Sequence, residues 1–517
     1  MGPALALAVA ALSGFIGLSY EILWYRLFAF AAGGTPQSFG LLLGFYLYGL
    51  AVGGVIARRL CRKQGSSSAH HLLIKLATLV LVADVVGYLV VPALAWSCHR
   101  GFCPAALPAV AVSTAFLGAT LPVISEVAIP PDWLAGLRLS IIYFANIAGS
   151  VAGSLLTGYV LMDRWPASTV AVLLALLGLL LAGILMRAGG RPRVALSPLL
   201  LGGSLCLWVT PGLYNQLYEK LLFKEHFRPE MRLAQTLENR VGVINITPSG
   251  RVFGGGVYDG FARVDLVADP NQLIRAVAIP AFHLRPRRVL MIGLSMGAWA
   301  QVLANLPGVD ELRIVEINPG YLSLIPRYPH VASVLRNPKV RIDIDDGRRW
   351  LAHHPAERFD LIVANITFHW REHATNLLST EFLELVRQHL TPDGVYYYNT
   401  TRSAEVMKTG FTAFPYGLRF GSFIAVSGTP LRFDHEGWKN ALTELTIDGH
   451  RVFDPADSAH ARRLAEILAI GTTADTAQVP MLEWRESVLQ HVDGARVITD
   501  DNMASEWDYP AVGAWDP

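Results

Sequence analysis

Before Tyr214 the apolar residues of this chain run in long, nearly unbroken stretches, and after it they come in short groups separated by charged and turn residues. Seven stretches approach or exceed the ~18–20 apolar residues that cross a bilayer as helix. They run roughly from Pro3 to Ala31, Phe39 to Ala57, Leu72 to Trp96, Ala105 to Ala128, Leu139 to Met162, Thr169 to Met186 and Val194 to Pro211. The first lacks a basic start and outruns the roughly 7–15-residue apolar region of a cleavable signal peptide. The small residues of GSVAGSLLTG suit close helix approach in lipid. Residues 1–213 are therefore predicted to be a multi-pass α-helical membrane domain with about seven helices.

Residues 214–285 are predicted to form a linker and a small antiparallel β unit, because Leu233 to about Val267 alternates in polarity around a Pro-Ser-Gly turn. From Arg287 the pattern becomes strand–helix alternation, which argues for a parallel sheet. RVLMIGL, ELRIVEI, VRIDI, FDLIVANI and GVYYYNT read as five strands, with AWAQVLANL and FLELVRQHL as helices between them. Residues 286–517 are thus expected to be an α/β Rossmann-like domain, of the class I methyltransferase type.

Composition sharpens the division. Hydrophobic residues make up 52% and charged residues 16%, against about 25% charged in soluble domains. A net charge of +2 without a clustered basic stripe excludes a nucleic-acid reader. Four cysteines are too few for a disulfide scaffold, but Cys98 and Cys103 flank a short loop, where a bond or two free thiols are equal alternatives. Arg58, Arg59, Arg62 and Lys63, with Arg187, Arg191 and Arg193, put the second and sixth connections in the cytoplasm. The expected location is the cell (inner) membrane. Seven crossings then place the C-terminal domain on the outer face, whereas a cytosolic donor would require the opposite side. Within the spans lie Glu21, Arg26, Asp84 and Glu126; Glu21 and Arg26 are expected to pair with each other or with neighbouring helices.

In open α/β sheets ligands bind beyond the C-terminal strand ends. Gly293 and Gly297 permit a tight turn and close approach there. Glu316, 23 residues after Gly293, ends the second strand where an acid can accept from both ribose hydroxyls. Asp346, followed by Gly347, ends the third, placed to meet an adenine amino group.

VLMIGLSMG, VEINPGY, DDGRRWL and FDLIVAN, in this order, resemble the consecutive motifs of the spermidine synthase family, and VYDG resembles that family's small N-terminal β unit. SGFIGLSYEILWYRL and GGVIARRLCRK resemble the start of its membrane-fused members and, distantly, the first helices of major-facilitator transporters. The resemblance implies a site for decarboxylated S-adenosylmethionine, or S-adenosylmethionine itself, as co-substrate, without a metal. It implies aminopropyl transfer to a diamine such as putrescine, with Glu316 on the ribose and Asp346 with Gly347 on the adenine. The chain departs from the family at two acids: Asn365 stands at the catalytic Asp position, and Met296 stands in the Gly-rich turn. An amide cannot accept a proton at neutral pH.

The rim beyond Asn365 carries Thr367, His369, Trp370, Arg371, His373 and Asn376. His369 or His373 could act as general base, and Arg371 could hold an anionic acceptor. The two histidines, at i and i+4, would share one face of a helix, but no third metal ligand follows at a suitable spacing. Asp500 and Asp501 read as solvated tail charges. The expected partners are the lipid bilayer and a small-molecule amine or other acceptor; a homo-oligomer is allowed. The alternatives to aminopropyl transfer are an S-adenosylmethionine-dependent methyltransferase and a non-catalytic nucleoside-binding or transport-associated membrane protein.

Overall fold

The computed structural model describes residues 1–62, 69–366, 368–472 and 480–508; Lys63 and Thr367, named above, lie outside them. Two compact units divide the chain, one built from Met1–Val243 and Gly255–Val257, the other from Ile244–Gly254 and the residues from Tyr258 onward. The stretch 214–285 is shared between them.

The first unit contains seven helices long and apolar enough to cross a membrane: Pro3–Ala31, Gln37–Arg62, Ala69–His99, Cys103–Ala128, Ala135–Arg164, Ala167–Ala188 and Pro192–Leu213. The first packs along the fifth through small residues. A Cβ added to Gly149 would lie 1.9 Å from the carbonyl oxygen of Ala11, and one on Gly153 would lie 2.3 Å from that of Phe15. Only glycine lets the backbones approach so closely. The fifth and seventh helices turn large apolar side chains outward, among them Phe144, Leu201 and Trp208.

The expected Glu21–Arg26 pair does not form. Five residues on a helix place side chains on different faces, unlike i,i+4 neighbours. Arg26 donates instead to the carbonyl oxygens of Asn239 (2.6 Å) and Gly242 (2.9 Å). Asp84 accepts from the hydroxyl of Tyr20 at 3.1 Å. Cys98 and Cys103 are joined as a disulfide. Beside it, His99 Nδ1 lies 3.3 Å from the carbonyl oxygen of Lys224, so the chain leaves its last long helix at the disulfide end of this unit.

In the second unit, strands Val243–Ile246 and Arg251–Gly254 pair antiparallel around the Pro-Ser-Gly turn. The main sheet has eight strands: β1 (Arg288–Ile292), β2 (Glu311–Glu316), β3 (Val340–Ile344), β4 (Phe359–Ala364), β5 (Leu390–Asn399), β6 (Tyr416–Phe420), β7 (Phe423–Ser427) and β8 (Leu482–Trp484). Their order is β8-β6-β7-β5-β4-β1-β2-β3. β1 to β5 are mutually parallel; β7, β6 and β8 add antiparallel pairs. The order reverses at β1, and β4 lies against its other side, so the crevice that receives ligands in such sheets opens beyond β1 and β4.

Both faces are covered. Alternation along β5 sends Tyr396 and Tyr398 into one core with Phe382, Val406 and Val488, while Tyr397 faces Phe282 and Phe423 on the other side. Trp438 closes the second layer, its indole N–H donating to the carbonyl oxygen of Val277 at 2.6 Å.

Candidate functional site

The turn after β1 must reverse sharply above the sheet, and Gly293 does so at φ +88°, a conformation that other residues rarely adopt. A Cβ there would meet nothing nearer than the carbonyl oxygen of Asn365, at 3.7 Å. Gly297, also at positive φ, starts the helix Ala298–Asn305. Met296 is buried.

Glu316, at the end of β2, faces the Gly-rich turn. Its Oε2 accepts from the backbone N–H of Leu294 (2.6 Å) and Ser295 (3.3 Å), and its Oε1 from that of Asn318 (2.7 Å). Only 4% of the residue is exposed, and it does not line the cavity described below. Three of the carboxylate's roughly four acceptor sites are taken by the protein's own amides, so it staples the Gly-rich turn to the end of β2. Burial pushes its carboxyl up to about 7, against those backbone donors.

Asp346 caps the helix Gly347–His353, one oxygen accepting from the N–H of Arg349 at 2.9 Å. Its second oxygen meets no donor among the described residues and suits an adenine amino group. Gly347 packs against β1, where a Cβ would fall 2.6 Å from Ile292. The adenine end of a nucleoside therefore fits the residues present.

Under the turn lies a buried charged cluster that motif reading passed over. Asp259, in VYDG, accepts from the hydroxyl of Tyr321, and Ser295 Oγ donates to its main-chain oxygen at 2.8 Å. Burial raises the Asp259 carboxyl, opposed by these partners and by the guanidinium of Arg371. Burial likewise lowers Arg371, with Asp259 as its main electrostatic support. Arg371 thus lies near enough to Asp259 for their charges to support each other.

A cavity of about 380 Å³ opens beside this cluster. The small β unit lines it with Tyr258 and Asp259, β4 with Asn365 and the β5 end with Asn399, Thr401 and Arg402; Arg275 completes the wall. Asn399 Nδ2 reaches Asn365 Oδ1 at 3.4 Å, while its Oδ1 accepts from the N–H of Thr401 at 2.9 Å. His369 Nδ1 lies 2.6 Å from Thr401 Oγ1, and burial lowers the imidazole's pKa, favouring the neutral base.

The i,i+4 spacing of His369 and His373 has no helical meaning, since the chain turns between them and His373 sits at φ +66°. His373 is largely exposed, its Nε2 3.4 Å from Glu372. Of the two tail acids, Asp501 is solvent-exposed, whereas Asp500 is partnered. Asp500 forms a fork with Arg348 (2.8 and 2.5 Å) and accepts from Ser379 Oγ at 2.6 Å. Glu506, 1% exposed, accepts from the N–H groups of His373 (2.9 Å) and Thr375 (3.2 Å) and from the Thr375 hydroxyl, strapping the loop that carries His369 and Arg371.

Residues 274–410 match the spermine/spermidine synthase domain. A polyamine aminopropyltransferase of Desulforudis audaxviator is 25% identical over 251 residues, covering 46% of this chain and 85% of that protein. One from Mycobacterium tuberculosis is 24% identical over 452 residues, covering 81% of this chain and 84% of that protein, too long a match to be confined to the residues after the last long helix. A solved spermidine synthase from Thermotoga maritima is 17% identical, covering 45% of this chain and 84% of that one with a TM-score of 0.36. The chain thus carries a spermidine synthase domain at residues 274–410, after seven helices long and apolar enough to cross a membrane.

Proposed function

We propose that the protein is a membrane-anchored transferase that moves an aminopropyl group from decarboxylated S-adenosylmethionine to the nitrogen of a small amine. The observation that carries this reading is the Thr401–His369 pair on the cavity beside Asn365, within the synthase domain. Decarboxylated S-adenosylmethionine supplies a carbon activated by its neighbouring sulfonium. The family's usual acceptor is a diamine such as putrescine.

The attacking amine must shed a proton, and Asn365 cannot take it. Thr401 lines the cavity; its hydroxyl, which donates to the carbonyl oxygen of Thr400 at 2.8 Å, turns to His369 Nδ1, 2.6 Å away, to pass the proton on. As the nitrogen–carbon bond forms, the carbon–sulfur bond breaks and its electron pair stays on sulfur; the nitrogen's proton ends on the imidazole. Asn365, held by Asn399, orients the acceptor as a neutral hydrogen-bonding group. Asp346 receives the adenine through its open oxygen, and Glu316 acts as a positioning residue that keeps the Gly-rich turn closed. The outward apolar side chains of the fifth and seventh helices support burial of the first unit in lipid.

The test is turnover by the full-length protein in detergent, with decarboxylated S-adenosylmethionine and then S-adenosylmethionine as donor. Methylthioadenosine released from the first donor, in an amount matching the alkylated amine, supports the proposal. S-adenosylhomocysteine released from the second alone would replace it with methyl transfer.

A further inference from the structure

The cavity beside Asn365 is cationic. Its carboxylate, Asp259, is already met by Tyr321 and Arg371, while Arg275 and Arg402 both line the wall. Arg275 is held rigidly: Nε donates to the carbonyl oxygen of Gln272 (3.0 Å), one terminal nitrogen to Ser422 Oγ (2.8 Å) and the other to the carbonyl oxygen of Asn271 (3.1 Å). Its guanidinium also lies over the rings of Trp299 and Phe423, at 5.7 and 4.9 Å. Of its five N–H bonds, two meet no acceptor among the described residues.

Arg402 sits at φ +63°, fixed by its N–H donating to Thr400 Oγ1 at 3.2 Å. Its guanidinium meets neither a carboxylate nor any other acceptor among the described residues. Each arginine lowers the cost of an anion and raises that of a cation. Arg275, only partly offset by Asp269, and the solvent-exposed Arg402 repel each other, and a bound anion reduces that repulsion. A diamine, with its far end protonated, would add a third positive charge.

We infer that this cavity binds an amine carrying a carboxylate, with Arg275 and Arg402 gripping the carboxylate while the nitrogen faces Thr401. That this amine is the aminopropyl acceptor rests on the function proposed above; the binding preference does not.

The probes are 4-aminobutanoate and putrescine, which share a four-carbon spacing and differ in the charge of one end. Calorimetry on the full-length protein in detergent, with and without methylthioadenosine, is compared for wild type, Arg402→Lys, Arg402→Ala and Arg402→Glu. Folding of each variant is checked by melting temperature. The expected result is a preference for 4-aminobutanoate over putrescine of at least about tenfold in wild type, kept by the lysine variant, lost in the alanine variant and reversed by glutamate. Preference for putrescine in wild type overturns the inference, as does absence of 4-aminobutanoate binding at about 10 mM or an unchanged preference in the glutamate variant. If the preference holds but methylthioadenosine fails to bind, the transferase reading falls and the anion site stands. If methylthioadenosine binds and the preference is absent, the reverse follows.

Discussion

Truncating Glu506 tests whether the C-terminal tail governs the site loop. The carboxylate takes two backbone N–H groups and one hydroxyl from residues 373–375, and both Glu506 and Thr375 are almost fully buried. In Glu506→Ala these donors lose a charged acceptor. Each buried donor left without a partner costs about 1–3 kcal/mol, so two fully buried ones set the scale at several kcal/mol. His373 adds to it, because its left-handed backbone is disfavoured by about 1–2 kcal/mol and needs an external hold. The tail can swing away and admit water, which limits the loss to the free energy of local opening. We therefore expect about 3 kcal/mol, equivalent to a ~100-fold rise in the open population of the loop. Hydrogen exchange at the amides of His373 and Thr375 reads this population directly, while thermal melting follows the fold. Protection at 373 and 375 should fall ~100-fold with a small change in melting temperature, and turnover should fall with it, since His369 and Arg371 ride on the same loop. Unchanged exchange at both amides in a folded variant would refute the strap.

Thr401→Val and His369→Gln should each lower kcat by about 10²–10⁴-fold, the usual worth of a general base. Because burial lowers the imidazole's pKa, the acid limb of the wild-type profile should lie below the ordinary histidine range and vanish in His369→Gln; a kcat unmoved by either change rules out the relay. Glu316 gives a stability signature of the opposite sign. Its folded pKa, raised from 4.5 to about 7, leaves its contribution intact below pH ~4.5 and removes it as pH rises through 7, by at most about 3 kcal/mol. Denaturation midpoints of wild type should therefore decline over that window relative to Glu316→Gln, and parallel curves for the two proteins would count against a buried, protonated carboxyl. The disulfide, which forms in an oxidising compartment, and the adjoining exit at Lys224 make sidedness testable. With Cys61 and Cys206 replaced by Ser, the exposed position of Lys439→Cys should react with an impermeant maleimide on intact cells. Protection until lysis would place the synthase domain in the cytoplasm, on the side of a cytosolic donor.

Strands and long helices were legible because they rest on periodicity. The apolar runs give seven helices whose bounds lie within a few residues of those expected, and β1 to β5 carry the β-branched and aromatic content that parallel strands need. The three antiparallel strands were missed. β6 and β7 are short and joined at Gly421, and β8 comes from some sixty residues further on, a pairing that no local pattern announces. Glu21 and Arg26 do not pair because side chains five residues apart on one helix face different ways, and positive φ at His373 takes any helical meaning from the i,i+4 spacing of His369 and His373.

The site was legible residue by residue and illegible as a set. Motifs marked where strands end, hence Gly293, Glu316, Asp346 and Asn365, but could not say what each side chain would face. Glu316 stands at the expected strand end, and its carboxylate turns to nearby amides, because two inward N–H groups of the Gly-rich turn and one just after β2 must be satisfied somewhere. The family match at residues 274–410 does not depend on that one contact. Arg275 and Arg402, 127 positions apart, carry no motif and become a pair only when a short helix and the end of β5 wall the same cavity. Their presence gives the missing acids a chemical sense. A pocket built for a diamine needs negative charge at its far end; one with Asn365 in place of Asp and two guanidinium groups on its wall favours the opposite sign. An amide at 365 and two guanidinium groups on the same cavity are better explained together, as a preference for an acceptor carrying negative charge, than separately.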